Sequence, residues 1–381
     1  MRSFPVEITP SVMKWARKSL SLEMDEVARK AKVSLDDLQA WELGDSYPTF
    51  AQLQRLARFY KRPTAAFFLA SPPGEPDLPS DFRGFDPESP PRLSMKTRLE
   101  VRRVRRCAAW AGEIRKLLGL DVMPHPVHAS LDDDPELLAV RLRAQLRVDQ
   151  EEIRRLRDAE AALPYWRELA EETGTLVFQI SLPKKDGARG LSLREDGQTA
   201  ILLNGRDAPS ARTFTLLHEI AHIALKRDGI CNPFQDPPSA AQPRRIEVFC
   251  NAVAAAVLMP KVEFLREPEV LDVRHSRDDI VWGEERIRKL ARKYKVSSEA
   301  AVRRLSTLGL VSSHFYQEKR GEYRRLADTR QTWAPVQTDP GKRVVGRVGR
   351  SFTRLVLSAF HAGKVSAADV SDLLGTGMKN L

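Results

Sequence analysis

The sequence predicts an α+β chain that is mostly helical, with an all-helical unit first, a larger domain built around one small sheet, and a helical segment last. Three observations predict it. Apolar residues recur at helical spacing, with turn signals between them, over residues 10–70. Three short runs, Thr175–Ser181, Gly190–Arg194 and Thr199–Leu203, alternate or cluster apolar residues between turns and read as strands. Helical segments, amphipathic before the strands and apolar after them, flank this sheet. The divisions expected are residues 1–70, a Pro-rich linker over 71–95, a domain over 96–310, and a basic linker with a helical hairpin over 311–381.

The first unit reads as four helices. Val12, Met13 and Ala16 give one stripe; Leu22, Val27 and Ala28 a second; Leu35, Leu38 and Trp41 a third that Gly44 ends; Phe50, Leu53, Leu56, Ala57 and Tyr60 a fourth. The series Ala28…Val33-Ser34…Leu38…Trp41-Glu42-x-Gly44…Pro48-Thr49…Leu53…Leu56-Ala57 resembles the Cro/C1-type (XRE) helix-turn-helix. The resemblance implies that the third helix enters the major groove by its N-terminal residues. The DNA-binding candidates are then Lys32, Ser34 and Gln39, the last able to pair with adenine. Against them stand Asp36, Asp37 and Glu42, with no Lys or Arg from Ser34 to Trp41, and carboxylates are poor neighbours for phosphates. Ser34 and Asp37 instead suit a helix start. A protein-recognition or dimerising use of the module competes with DNA reading.

Seven prolines between Ser71 and Pro91 call for an extended connector. Residues 96–172 are helical and charge-rich; between Arg92 and Lys116 nine basic residues face two acidic ones, a net +7. A solvated helix face and a phosphate- or substrate-facing one both fit that run. The three strands follow, and an edge strand of such a sheet is able to bind an extended peptide by strand addition.

His218-Glu219-Ile220-Ala221-His222 says most about function. Two histidines four residues apart on a helix differ by about 40° around its axis, so both rings reach one metal ion and Glu219 stands beside it. This is the H-E-x-x-H arrangement of zinc metallopeptidases, a zincin-like site. The helix is apolar on nearly every side, and two histidines and a carboxylate there are costly without a partner. A third protein ligand is needed. The extension H-x-x-G-x-x-H is excluded, because Leu225 and Asp228 stand at its Gly and His positions. The segment from Glu247 to Pro260 reads as a buried helix with Glu247 at its N-terminal end and Asn251 one turn on. By itself, Glu247 is equally a carboxylate favouring a helix N-terminus.

H-E-x-A-H, followed by E-x-x-[AC]-N-x-x-A-A-x-x-L-M-P, resembles the ImmA/IrrE family of metallopeptidases. Cys250 and Val253 replace the usual Ala and aromatic and keep the apolar character. The resemblance implies that Glu247 is the third ligand to Zn²⁺ beside His218 and His222, that Asn251 supports the site, and that the substrate is a helix-turn-helix repressor of a phage, mobile-element or stress regulon. In such a site Glu219 is the general base that takes a proton from water and returns it to the leaving amine. A further donor should stabilise the oxyanion; Tyr165, His275, Tyr294 and His314 are all eligible. The competing reading is a DNA-binding regulator whose metal site is structural or idle.

The loop Asn232–Arg245 separates the two metal helices and is expected to rim the cleft. Cys231, nine residues past His222, reads as a loop or core cysteine. Ile287–Leu308 has a helix-turn-helix look and is basic, though packing within the peptidase domain is the default. Residues 311–350 read as irregular, and Phe352–Leu374 as a helical hairpin. Hydrophobic residues at 42% support a core, no apolar run reaches transmembrane length, and Cys107, Cys231 and Cys250 are too few for a disulfide framework. The first residues lack the apolar stretch of a signal peptide, so a cytoplasmic location is expected. A net charge of +11 favours nucleic acid or an acidic protein. The expected partners are therefore a protein substrate, double-stranded DNA through the N-terminal module or the basic segments, and a second copy of the chain, without a membrane.

Overall fold

The structure, a computed structural model, describes residues 4–74, 93–121, 127–226, 241–273, 279–329 and 339–377. These residues form eighteen α-helices and one three-stranded sheet, the mostly helical α+β chain expected. The chain divides into two compact units.

The first unit holds α1 (Pro10–Lys18), α2 (Met24–Ala31), α3 (Leu35–Leu43), α4 (Phe50–Tyr60) and a 3-10 turn at Thr64–Phe68. Met13, Leu20, Val27, Leu38, Trp41, Leu53 and Tyr60 make its core, which is why the apolar stripes fold on one another. Lys32 takes the left-handed conformation (φ 55°) between α2 and α3, and Gly44 (φ 89°) ends α3. Ser34 caps α3 by accepting from the Asp37 amide at 2.9 Å. One expectation is corrected here. Glu42 does not face outward: it is buried, and Arg17 holds it by two bonds at 2.7 and 2.8 Å. The acidic exposed face of α3 is therefore Asp36 and Asp37 alone.

Helix α5 (Met95–Leu117) starts in the first unit and ends in the second. The second unit continues with α6 (Pro135–Gln145), α7 (Gln150–Arg155), α8 (Ala159–Glu172), β1 (Leu176–Ile180), β2 (Gly190–Glu195), β3 (Gln198–Asn204), α9 (Pro209–Lys226) and α10 (Ala241–Leu258). The sheet order is β1-β3-β2, with β1 parallel and β2 antiparallel to β3. All three strands match the runs read from sequence to within one residue at either end. Asp196 (φ 46°) and Gly197 (φ 79°) make the two-residue turn between β2 and β3, whose positive φ values match the right-handed twist of a hairpin. Val177, Ile201 and Leu203 bury one sheet face against Leu217, Ile220 and Ala221 of α9 and Val253 and Ala254 of α10. The other face carries Phe178, whose ring lies 5.6 Å from that of Phe352.

The chain closes with α11 (Lys261–Phe264), α12 (Pro268–Leu271), α13 (Glu284–Lys293), α14 (Ser298–Thr307), α15 (Ser313–Thr329), α16 (Pro340–Val348), α17 (Arg350–His361) and α18 (Ala367–Leu374). Helices α15 and α16 correct the irregular reading of residues 311–350. Their apolar residues are few but well placed: Phe315, Tyr316 and Tyr323 pack on Ile287 and Val302, and Val344 and Val348 are buried. Helix α16 runs beside the outer strand β1, where Arg167 donates to Val177 O at 2.9 Å and to Gly346 O at 3.0 Å.

The turn from α13 to α14 has the geometry of that from α2 to α3. Lys295 is left-handed (φ 56°), the Val296 amide bonds back to Ala291 O at 3.0 Å, and Ser297 caps α14. Its second helix is used for packing: Arg304 is fully buried, and the helix lies between α13 and α15. The default reading of this segment stands.

A candidate metal centre on helices nine and ten

Helix α9 places His218 and His222 one turn apart, and α10 brings Glu247 to them. The histidine Nε2 atoms are 3.0 Å from each other. Glu247 Oε2 lies 3.4 Å from His218 Nε2, and Oε1 lies 3.2 Å from His222 Nε2. Ligands bound at about 2.0–2.2 Å to one tetrahedral ion stand roughly 3.3–3.6 Å apart; the separations here, 3.0, 3.2 and 3.4 Å, lie at or just below that range, as suits three ligand atoms gathered around one small ion. The donor set, two imidazoles and one carboxylate, also suits zinc. Among the described residues it is the one group of three with metal-holding geometry.

Burial makes the cluster costly unless something compensates it. His218 and Glu219 are fully buried and His222 nearly so, while the Glu247 side chain is 26% exposed. Burial alone would raise the Glu247 carboxyl, but the two histidine rings bonded to it hold it well below the usual carboxylate range. Burial pushes the neighbouring Cys250 thiol up, and its hydrogen bond with His222 only partly opposes this. Cys250 thus sets a thiol against the His222 ring, a closer neighbour than a merely apolar replacement suggests.

Residues 170–306 match the IrrE N-terminal-like domain and residues 13–67 match the helix-turn-helix, in the order the motifs imply. The chain joins a helix-turn-helix to an IrrE N-terminal-like domain. All of His218, Glu219, His222 and Glu247 lie inside the IrrE N-terminal-like match. A solved structure described as a Mycobacterium tuberculosis transcriptional regulator aligns with 51% of this chain and 52% of its own length, at 19% identity and a TM-score of 0.32. The chain thus spans about half the length of that structure. Among curated proteins none matches.

Within the IrrE-like domain the other expected residues fall as follows. Glu247 is not at a helix start: α10 begins at Ala241, so Glu247 sits in the second turn and the dipole account of it fails. The last five residues of the expected loop, 241–245, are helical, while 232–240, Cys231 and His275 lie outside the described residues, as does most of the Pro-rich connector. Asn251 makes no hydrogen bond to His218, His222 or Glu247, and its Oδ1 is buried without a partner among the described residues. Two of the oxyanion candidates are engaged elsewhere. Tyr294 donates to Glu267 at 2.9 Å, and the Tyr165 hydroxyl accepts from the Asp149 amide at 3.0 Å. His314 is exposed at the start of α15.

Sequence reasoning missed Gly190 and Thr215. Thr215 stands one turn before Glu219 on α9, fully buried, and Gly190 opens β2 beside both. The available signal was a glycine at the first position of a strand, which often marks close backbone approach. In the helix-turn-helix, Lys32, Ser34 and Gln39 are all exposed, with the Ser34 hydroxyl used as a cap. The presence of this module supports DNA binding and transcriptional regulation as its general role. No helix of the described residues is long and apolar enough to cross a membrane.

Proposed function

We propose that the chain is a zinc-dependent endopeptidase that regulates transcription by cutting a helix-turn-helix repressor. One observation carries this reading: His218, His222 and Glu247 bring three ligand atoms together, and Glu219, which is not one of them, lies buried between the two histidines in the helix. A site that only braced the fold would have no use for that carboxylate. Zinc, when bound by these three residues, would supply Lewis acidity and a water acidified to a pKa of about 7. Glu219 receives the proton from the attacking water and returns it to the leaving amine. The substrate backbone is best placed along β2. The outer side of β1 is taken by α16 and Arg167, whereas β2 begins at Gly190, beside Glu219. The pairing of Arg189 with Asn204 (2.8 Å) turns the peptide groups of Gly190 and Ser192 away from β3.

The second reading, a DNA-binding regulator with an idle metal site, is favoured by the helix-turn-helix alone. Metal analysis of purified protein separates the two at the first step. Wild type should hold one zinc per chain and His218→Ala none. Zinc-loaded wild type that leaves its co-expressed repressor intact, and cuts no member of a quenched peptide library, would sink the peptidase reading.

A further inference from the structure

Resting on the peptidase reading, we infer that Gly190 and Thr215 are positioning residues for the Glu219 carboxylate, through a contact that admits no side chain at position 190. A β-carbon added to Gly190 would fall 2.4 Å from Thr215 Cγ2, 3.0 Å from Leu202 O and 3.6 Å from Glu219 Oε1. Gly190 does not have positive φ, so backbone conformation is not what demands glycine. Proximity demands it. The nearest obstacle is the methyl of a fully buried β-branched residue, which in a helix is confined to two χ1 rotamers and cannot swing out as a flexible chain end would. A second obstacle is the backbone carbonyl of the paired strand β3, fixed by the ladder. With both unable to yield, a methyl at position 190 must push α9 away from β2 along the Thr215–Glu219 face.

The displacement would fall on Glu219 more than on the ligands. Thr215 and Glu219 are four residues apart and share the helix face toward β2. Around the helix His218 lies about 100° and His222 about 60° from Glu219, and both are held with Glu247 of α10. Thr215 and Gly190 act through Glu219, and neither is assigned contact with substrate. A displacement of about 1 Å at a reacting group costs on the order of a hundredfold in rate.

The test is a four-member cycle in the full-length, zinc-loaded protein: wild type, Gly190→Ala, Thr215→Ser and the double variant. The probes are a quenched fluorescent peptide cut by wild type, zinc affinity by chelator competition, and thermal melting. Gly190→Ala should lower kcat by about a hundredfold with KM within about twofold. Zinc affinity should stay within about threefold, since the ligand set is untouched. The Thr215→Ser background removes the obstructing methyl, so there the loss on Gly190→Ala should shrink to less than about tenfold, with part of the melting temperature recovered. Equal losses in both backgrounds overturn the contact. Loss of zinc along with kcat overturns the positioning role in favour of general distortion. Gly190→Ala as active as wild type overturns this inference alone. Wild type that cuts nothing overturns the peptidase reading and the role together.

Discussion

Arg304 and Glu136, 168 residues apart, meet as a two-pronged ion pair, Nη1 to Oε1 at 2.5 Å and Nη2 to Oε2 at 2.8 Å. The Arg304 side chain is fully buried, and its Nε donates to Met259 O at 2.9 Å, just past the end of α10. The pair therefore fixes the far end of the helix that carries Glu247. Glu136→Ala would leave a buried guanidinium without its counter-charge. Full breakage of a buried pair costs about 3–5 kcal/mol, and the partial exposure of Glu136 reduces this to about 2–4 kcal/mol. The melting temperature should fall by roughly 5–10 °C, and Glu136→Gln should recover part of the loss.

The proposed chemistry makes Glu219 separable from the ligands. Glu219→Gln should retain zinc and fold while cleavage of the cognate repressor falls by about 10²–10⁴-fold, because the amide cannot accept the proton. His222→Ala or Glu247→Ala should lose the metal as well. Zinc by atomic spectroscopy and cleavage by gel read both outcomes. A wild-type rate from Glu219→Gln would show that the base is some other group.

The exposed face of α3 sets a test of what the first module binds. Asp36→Lys with Asp37→Lys should raise affinity for duplex DNA by about tenfold at low salt, and should steepen the salt dependence by about 0.9 for each further phosphate neutralised. Deleting residues 1–70 should leave zinc bound and a short peptide still cut. If the module delivers the repressor, cleavage of the full-length repressor should drop by more than about tenfold. Equal cleavage with and without the module would rule out that delivery.

Lys293 reaches Glu267 at 2.8 Å and Glu269 at 2.6 Å, joining α12 to α13. Burial alone would raise the Glu269 carboxyl, but the Lys293 ammonium holds it below its ordinary 4.5. A depressed carboxylate contributes stability above its unfolded value, and loses it as pH falls through the folded one. Lys293→Met should therefore melt several degrees below wild type at pH 7. The gap should close as pH drops below the ordinary carboxylate range, as melting curves from pH 7 to 3 would show.

The parts of the molecule legible in its sequence are those whose cause is local. The apolar stripe around His218 and His222, the alternation in β1–β3 and the cap of α3 all depend on residues within a turn or two. The boundary of α10 was not legible, because the residues before Glu247 carry prolines and charges that tertiary packing overrides. Glu42 read as an outward acid because its partner, Arg17, lies 25 residues away on another helix. Helices α15 and α16 were hidden because a few aromatics and valines anchor them within otherwise basic segments. The Gly190–Thr215 contact depends on how closely a strand and a helix pack, which no spacing records.

The helix laid along β1 bears on the chain's solubility. A bare strand border is a template for any extended chain, including another copy unfolding nearby. Here the Val177 carbonyl is occupied by Arg167, and the Gln179 side chain bonds to Gly346 O at 2.9 Å. Proteolysis or truncation ahead of Pro340 would uncover that border while leaving the metal helices in place. The shortened protein should still hold zinc, yet it should self-associate and precipitate on concentration. The last helices thus guard the molecule against its own sheet.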